Sequence, residues 1–114
     1  MEGEKNNPLF IKGDLLAKYI YRATQRFPKS EIYGITSQLR RAGMSVILNI
    51  IEGFARQSTR EFKRFLCISF GSLKETKYLL EFSKEQKYLT EKEYQEIFLL
   101  SEEVAKIIWS IIKK

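Results

Sequence analysis

Residues 36–56 read TSQLRRAGMSVILNIIEGFAR, and this stretch decides the fold. On a helix of 100° per residue, its polar residues recur at intervals of three and four and share one narrow arc. Most other positions are apolar or small, the reverse of an ordinary surface helix. The pattern predicts a helix that is buried on most sides and carries one polar stripe. This polar stripe consists of Gln38, Arg41, Ser45, Asn49, Glu52 and Arg56.

Length and composition limit the fold and the compartment. A chain of 114 residues suffices for one domain with a core, so we predict a single domain over residues 1–114 with a flexible tail over residues 1–8. Two prolines and six glycines favour long helices over a turn-rich β fold. The chain has one cysteine, no apolar signal region at its start and no stretch long enough for a membrane span. These features predict a cytoplasmic protein without membrane contact.

Apolar residues recur at helical spacing in four segments separated by short polar connectors. The first segment covers about residues 9–26 and stops before Pro28, whose ring disfavours helical geometry at the preceding residue. The second starts near Thr36, whose hydroxyl is predicted to cap it. Ser58 and Thr90, each followed three residues later by glutamate, predict capping boxes for the third and fourth helices. The expected fold class is all-α, an antiparallel up-down-up-down four-helix bundle, because short connectors make successive helices antiparallel neighbours.

The chain offers little catalytic chemistry because it contains no histidine. That absence removes the usual general base, the nucleophile–base pairs, and most zinc and di-iron sites. Cys67 is predicted to be a packed thiol and Gly71 to permit close contact between helices. We therefore expect no enzymatic activity, no catalytic residue, no cofactor and no metal.

Glu52 and Glu75 are the two glutamates among apolar neighbours, so they are the remaining candidates for acid–base or metal chemistry. A structural pairing with Arg41 or Arg56 is the favoured interpretation, because a buried carboxylate needs a partner. The polar stripe would then specify register between helices or between subunits. The alternative is a polar groove or central opening that holds a ligand or a nucleic-acid strand.

The formal net charge of +6 comes mainly from residues 1–30 and 59–88. Such a surplus attracts polyanions such as RNA or DNA, although a modest positive charge also occurs in proteins that bind no nucleic acid. Most aromatic residues fall at core positions, so no platform for base stacking is obvious. The candidate phosphate-binding residues are Arg40, Arg41, Arg60, Lys63, Arg64 and Lys74.

Apolar residues point to more than one side of the second helix. Ile47, Ile51 and Phe54 lie on one side, while Met44 and Leu48 point elsewhere. A four-helix monomer cannot easily cover both sides, and an exposed apolar patch usually marks an interface. The sequence therefore predicts a homo-oligomer.

Residues 27–75 resemble the four-helix-bundle family called 23S ribosomal RNA intervening-sequence proteins. The matching positions, in order, are Phe27-Pro28, Tyr33-Gly34-Ile35-Thr36, Gln38, Arg40-Arg41-Ala42, Ser45, Asn49-Ile50, Glu52-Gly53, Arg56, Glu61-Phe62, Phe65-Leu66, Gly71-Ser72 and Glu75. The sequence is also similar to the accessory variability protein of diversity-generating retroelements, a basic pentameric bundle that partners a reverse transcriptase and nucleic acid. The resemblance implies an up-down bundle assembled as a homopentamer, without established enzymatic activity. The sequence departs from the family pattern at Gly13-Asp14, an unfavourable pair inside a helix.

These observations together predict a non-enzymatic, oligomeric helical bundle that binds RNA or DNA through basic surfaces. The alternative is a structural or protein-interaction module, a scaffold or accessory protein with no nucleic-acid binding of its own. In that case the polar stripe locks subunits together, and the positive charge only keeps the protein in solution.

Overall fold

The computed structural model describes residues 3–114 as four helices joined by short connectors. In chain order the helices are α1 (Pro8–Thr24), α2 (Ile35–Phe54), α3 (Thr59–Glu85) and α4 (Glu91–Ile112). Two short 3-10 helices, Glu4–Asn6 and Lys29–Glu31, precede α1 and α2. The described residues contain no strand, which confirms the predicted all-α class. None of the helices between residues 3 and 114 is both long and apolar enough to cross a membrane.

Each helix packs against two neighbours around the bundle, and side-chain pairs across the seams show that neighbours are antiparallel. Between α2 and α3, Arg41 pairs with Glu75 and Ser45 pairs with Ser72, so residue numbers rise on one helix as they fall on the other. The other three seams show the same relation. Between α1 and α2, Gly13 lies against Ile50 and Gly43 lies against Ile20. Phe70 beside Trp109 and Lys84 beside Glu91 show it between α3 and α4, and Lys12 with Glu103 and Arg26 with Glu93 show it between α1 and α4. The predicted up-down-up-down topology is therefore present.

The core is built from the apolar stripes of all four helices, as their spacing predicts. Leu16, Leu39, Leu73 and Val104, one from each helix, are each at most 1% exposed. Five of the six buried serine and threonine hydroxyl groups donate to backbone carbonyls and so avoid the cost of an unpaired polar group. Across the α2–α3 seam, for example, the hydroxyl of Ser69 donates to the carbonyl of Val46 at 2.8 Å.

The start of α4 carries the capping box that its sequence predicts. The N–H of Glu93 donates to the hydroxyl of Thr90 at 3.1 Å, and the N–H of Thr90 donates to the Glu93 carboxylate at 2.9 Å. At the start of α1, the side chain of Asn7 accepts from the N–H of Leu9 at 2.8 Å. Each such cap stabilises its helix by about 1 kcal/mol.

At α3 only half of the predicted capping box forms. The Ser58 hydroxyl accepts from the N–H of Glu61 at 3.1 Å, which confirms the predicted start of the helix. The Glu61 carboxylate pairs with Arg64 at 3.3 Å and makes no return bond to Ser58. A basic neighbour one turn along the helix therefore competes successfully with the backbone for this carboxylate.

The predicted capping of α2 by Thr36 is wrong, because α2 begins one residue earlier, at Ile35. The cap position belongs to Gly34, which has no side chain to accept a hydrogen bond. Thr36 is only 2% exposed, and its hydroxyl has no hydrogen-bond partner. A buried unpaired hydroxyl costs about 1–3 kcal/mol.

Helix α1 begins earlier than predicted and runs through its glycine without a break. Pro8 is its first residue, where the missing N–H is not needed. Glu4–Asn6, within the predicted flexible tail over residues 1–8, form a 3-10 turn, and the flexibility of this segment stays a prediction. Residues 1 and 2 lie outside the described residues. A Cβ at Gly13 would lie 3.0 Å from the Cδ1 atom of Ile50, so the glycine allows α1 to approach α2 closely.

Three predictions about side-chain burial are wrong for the single chain. Helix α2 is not covered on most sides, because Met44 and Leu48 are 42% and 50% exposed. Cys67 is exposed rather than packed. Gly71 does not mark close contact within the chain, since a Cβ there would have no atom within 4 Å. Within one chain each helix contacts only two neighbouring helices, so its outer side faces solvent.

Candidate nucleic-acid interface

The polar stripe of α2 lies along the outer seam between α2 and α3. Ser45 and Asn49, in its middle, are half-buried, and the other four members are exposed. The hydroxyls of Ser45 and Ser72 lie 2.8 Å apart, and the Asn49 amide donates to the Ser45 carbonyl at 2.8 Å. The centre of the stripe thus joins α2 to α3 within one chain.

The two glutamates singled out in the sequence have the predicted arginine partners. Glu52 pairs with Arg56 at 2.6 Å, and Glu75 pairs with Arg41 at 3.4 Å. All four side chains are more than 40% exposed, so each pair stabilises the fold by no more than about 1 kcal/mol. The pairing is confirmed, whereas the burial assumed for it is wrong. A role of the stripe between subunits stays a prediction.

The predicted phosphate-binding residues of α2 are engaged in contacts between helices. The Arg40 Nε donates to the Thr24 hydroxyl at 2.7 Å, and its guanidinium carbon lies 4.0 Å from the centroid of the Tyr21 ring. Arg40 therefore ties α2 to α1. Arg41 points to α3, where it pairs with Glu75. Both lie near the start of α2, away from the start of α3.

The other four predicted phosphate-binding residues lie on α3. Arg60 and Lys63, in its first two turns, form no ion pair with any carboxylate of the described residues. Arg64 pairs with Glu61 at 3.3 Å. Lys74 is exposed and lies about 21 Å from Arg60 along the helix, at 1.5 Å per residue. Helix α3 therefore carries a row of positive charge, part of which has no partner.

Cations without ion pairs lie at the end of the bundle where α1 and α3 start and α2 and α4 end, and Lys29, Lys87 and Lys92 are likewise unpaired at the opposite end. We call the end where α1 and α3 start the basic end; its unpaired cations are Arg60, Lys63, Lys113 and Lys114. At the opposite end, carboxylates neutralise several cations, as in the pairs of Arg26 with Glu93 and Lys84 with Glu91. The charge of the bundle is therefore unevenly distributed between its ends.

A cleft between α3 and α4, which we call the α3–α4 cleft, presents aromatic surface that the sequence reasoning missed. Its volume is about 500 Å³, and its lining residues are Phe70, Lys74, Lys77, Glu102, Ala105, Lys106 and Trp109. The Trp109 side chain is 50% exposed. The exposure of Trp109 could have been predicted from helical spacing. Trp109 directly follows Ile108, which is buried, and so falls outside the apolar face of α4.

Tyr94, near the opposite end from the basic end, has a perturbed ionisation. Burial is the main cause that raises the pKa of Tyr94 above its ordinary value, and the carboxylates of Glu81, Glu91 and Glu85 raise it further. Its ring packs against that of Phe98, with centroids 5.4 Å apart. We interpret Tyr94 as a structural residue. Residues 3–114 contain no cluster of three histidine, cysteine or acidic side chains that could hold a metal ion.

The same architecture occurs in known proteins. The profile of the family described as 23S rRNA-intervening sequence protein matches residues 5–110. The chain belongs to this family. It is similar to the crystal structure of a protein of unknown function from the S23 ribosomal protein family of Bacteroides thetaiotaomicron, at 29% identity and a TM-score of 0.83. That likeness covers 93% of this chain and 99% of the other, while the search of curated proteins finds no match.

In this member of the 23S rRNA-intervening sequence protein family, many positions that carry the sequence resemblance line the α2–α3 seam. Ser45 and Ser72 bond across it, and so do Arg41 and Glu75. The departure at Gly13-Asp14 does not interrupt α1, and Asp14 pairs with Lys18 at 2.9 Å. The family pattern in α2 and α3 thus includes the residues that hold these two helices in register.

Proposed function

We propose that this chain is a non-enzymatic, cytoplasmic, oligomeric bundle that binds RNA or DNA through its basic end and the adjoining outer face of α3. The unpaired cations Arg60 and Lys63 are the observation that carries the proposal. A cation that already has a carboxylate partner must lose that partner before it binds phosphate, whereas these two only release counterions from the ligand. The absence of histidine supports a binding role over a catalytic one.

Self-association is part of the proposal, with the homopentamer that the family resemblance implies. Met44 and Leu48 lie one turn apart on the outer side of α2 and are exposed, and Ile51 on the adjoining side is only partly buried. An apolar surface of this kind favours contact with another copy. A ring would repeat the basic end in every subunit and so increase the attraction for a polyanion.

The proposal is tested with the double substitution Arg60→Ala/Lys63→Ala. We expect it to weaken binding of a labelled single-stranded RNA about tenfold and to reduce the slope of log K against log salt by about 1.4, the value for two phosphate contacts. The matched control is Lys29→Ala/Lys92→Ala, which removes the same charge from exposed positions at the opposite end. Fluorescence anisotropy over a series of salt concentrations gives both quantities.

Equal weakening by the test and control variants would show that only net charge matters and would contradict a binding surface at the basic end. A wild-type protein that binds no RNA or DNA at low salt would overturn the proposal altogether. The exposed apolar side of α2 would then favour the second candidate, a structural or protein-interaction module with no nucleic-acid binding of its own.

A further inference from the structure

We infer that the α3–α4 cleft is a stacking site for unpaired bases, so that the preferred ligand is single-stranded nucleic acid. The inference rests on the proposed function and specifies its ligand. It depends on three features of the cleft, namely an exposed indole ring, open space beside it and uncompensated positive charge.

The indole of Trp109 is held in place while part of its surface stays free. Its centroid lies 5.7 Å from that of Phe70, at an interplanar angle of 36°. Phe70 is partly buried against the core and so forms a fixed support, whereas Trp109 is 50% exposed. Ala105, one turn earlier on α4, has a small side chain, which leaves the space beside the indole unfilled. A planar base can therefore stack on the exposed part of the ring.

The charge around this ring suits an anionic ligand. The Lys74 Nζ lies 5.6 Å from the Phe70 centroid, and the Lys113 Nζ lies 5.9 Å from the Trp109 centroid. Glu102, the carboxylate among the lining residues, is already paired with Lys77 at 2.9 Å. Lys74, Lys106 and Lys113 have no carboxylate partner. Lys106 can contact the phosphates that flank a stacked base directly, and Lys74 and Lys113 can do so by moving off the aromatic rings they now face.

The same charge disfavours two other occupants. A contact in which two copies met cleft to cleft would place lysines against lysines, which costs free energy at an interface. In a closed ring a different surface of the next copy would face the cleft, and the concentration dependence of the tryptophan emission tests that case. A duplex offers phosphates to the lysines, but its bases are already stacked on one another and cannot lie on the indole. Single-stranded RNA or DNA satisfies both the ring and the cations.

Trp109 is the one tryptophan of the chain, so its fluorescence reports on the cleft directly. We expect a short oligouridine to quench this emission and a duplex of equal length to leave it unchanged. By anisotropy of the labelled oligonucleotide, Trp109→Ala should bind about tenfold more weakly, while Trp109→Phe should keep most of the affinity. Tyr33→Ala is the control, because Tyr33 is an aromatic residue that is 95% exposed at the other end of the bundle.

Each other outcome overturns the inference in a recognisable way. Salt-dependent binding that requires Arg60 and Lys63 but leaves the tryptophan emission unchanged would reject the stacking site and keep the proposed function. Equal affinity of the wild type and Trp109→Ala would do the same. Emission that shifts with protein concentration alone would show that a second copy covers the cleft. An absence of any binding by the wild type would remove both proposals. The Trp109→Phe variant shows whether weaker binding by Trp109→Ala comes from the lost aromatic ring or from misfolding.

Discussion

Arg40 and Thr36 show how neighbours decide what a side chain does. Arg40 was predicted to bind phosphate, which stays a prediction; in the folded chain its guanidinium donates to Thr24 and lies over the ring of Tyr21, so it also ties α1 to α2. Thr36 was predicted to cap α2, yet it lies inside the helix with its hydroxyl buried and unpaired. The position of α1 beside α2 determines the contacts of Arg40, and the start of α2 at Ile35 places Thr36 inside the helix, where it cannot cap it.

Tyr94 leads to a prediction about pH. Because its pKa is raised above 10.0 in the folded protein, the folded state holds the phenolic proton more tightly than the unfolded state does. The resulting stabilisation is complete below the ordinary tyrosine pKa and is lost as the pH rises through the raised pKa. We expect Tyr94→Phe to make the free energy of unfolding less sensitive to alkaline pH, as measured by urea denaturation.

The control for this prediction is Tyr33→Phe, which changes a tyrosine that is 95% exposed. It should follow the wild-type pH dependence. If Tyr94→Phe and the wild type lost stability in parallel above pH 10, the tighter hold on the phenolic proton would be refuted.

At the scale of elements, two helical glycines have opposite surroundings. A Cβ at Gly71 in α3 would meet nothing within 4 Å, whereas a Cβ at Gly43 in α2 would lie 2.8 Å from the Cδ1 atom of Ile20. Glycine inside a helix costs about 0.5–1 kcal/mol relative to alanine. We expect Gly71→Ala to raise the free energy of unfolding by about that amount and Gly43→Ala to lower it, because the Ile20 side chain, only 1% exposed, would have to shift within a packed core.

Chemical denaturation of both variants at several protein concentrations checks this pair of predictions. A Gly71→Ala variant that is less stable, and whose stability depends on protein concentration, would contradict the open surroundings of Gly71. It would place the outer face of α3 at a contact between subunits, where the original interpretation of Gly71 as a close-contact residue would apply.

At the scale of the whole molecule, the exposed side of α2 predicts the assembly. We expect Met44→Lys/Leu48→Lys to convert an oligomer into single chains, because charged side chains cannot be buried without partners at an apolar interface. The matched control is Leu99→Lys on α4, where a 61% exposed leucine lies among polar neighbours such as Gln95 and Glu103. Light scattering after size exclusion measures the mass, and circular dichroism checks that the helices persist.

A wild-type protein that is already monomeric at all concentrations would refute the proposed self-association. A double variant that assembles like the wild type would instead move the interface away from α2. The binding proposals are independent of the first result, since the basic end and the α3–α4 cleft each lie within one chain.

The sequence by itself determined the parts of this protein that depend on local interactions. Helical periodicity, the stop near Pro28 and the caps at Ser58 and Thr90 involve residues within a few positions of one another, so they can be recognised without the fold. The family resemblance, carried by residues along α2 and α3, was confirmed by the match over residues 5–110. The pairing of Glu52 with Arg56 is equally local, because the two lie one turn apart.

Only the tertiary structure decided which side chains meet across the seams. The antiparallel register places Phe70 beside Trp109 and Arg40 beside Thr24, although each pair is separated by many residues in the chain. The same packing leaves Arg60 and Lys63 without carboxylate partners and leaves the indole half-exposed. Such contacts depend on the rotation and register of each whole helix, which follow from packing the entire core at once rather than from any short stretch of sequence.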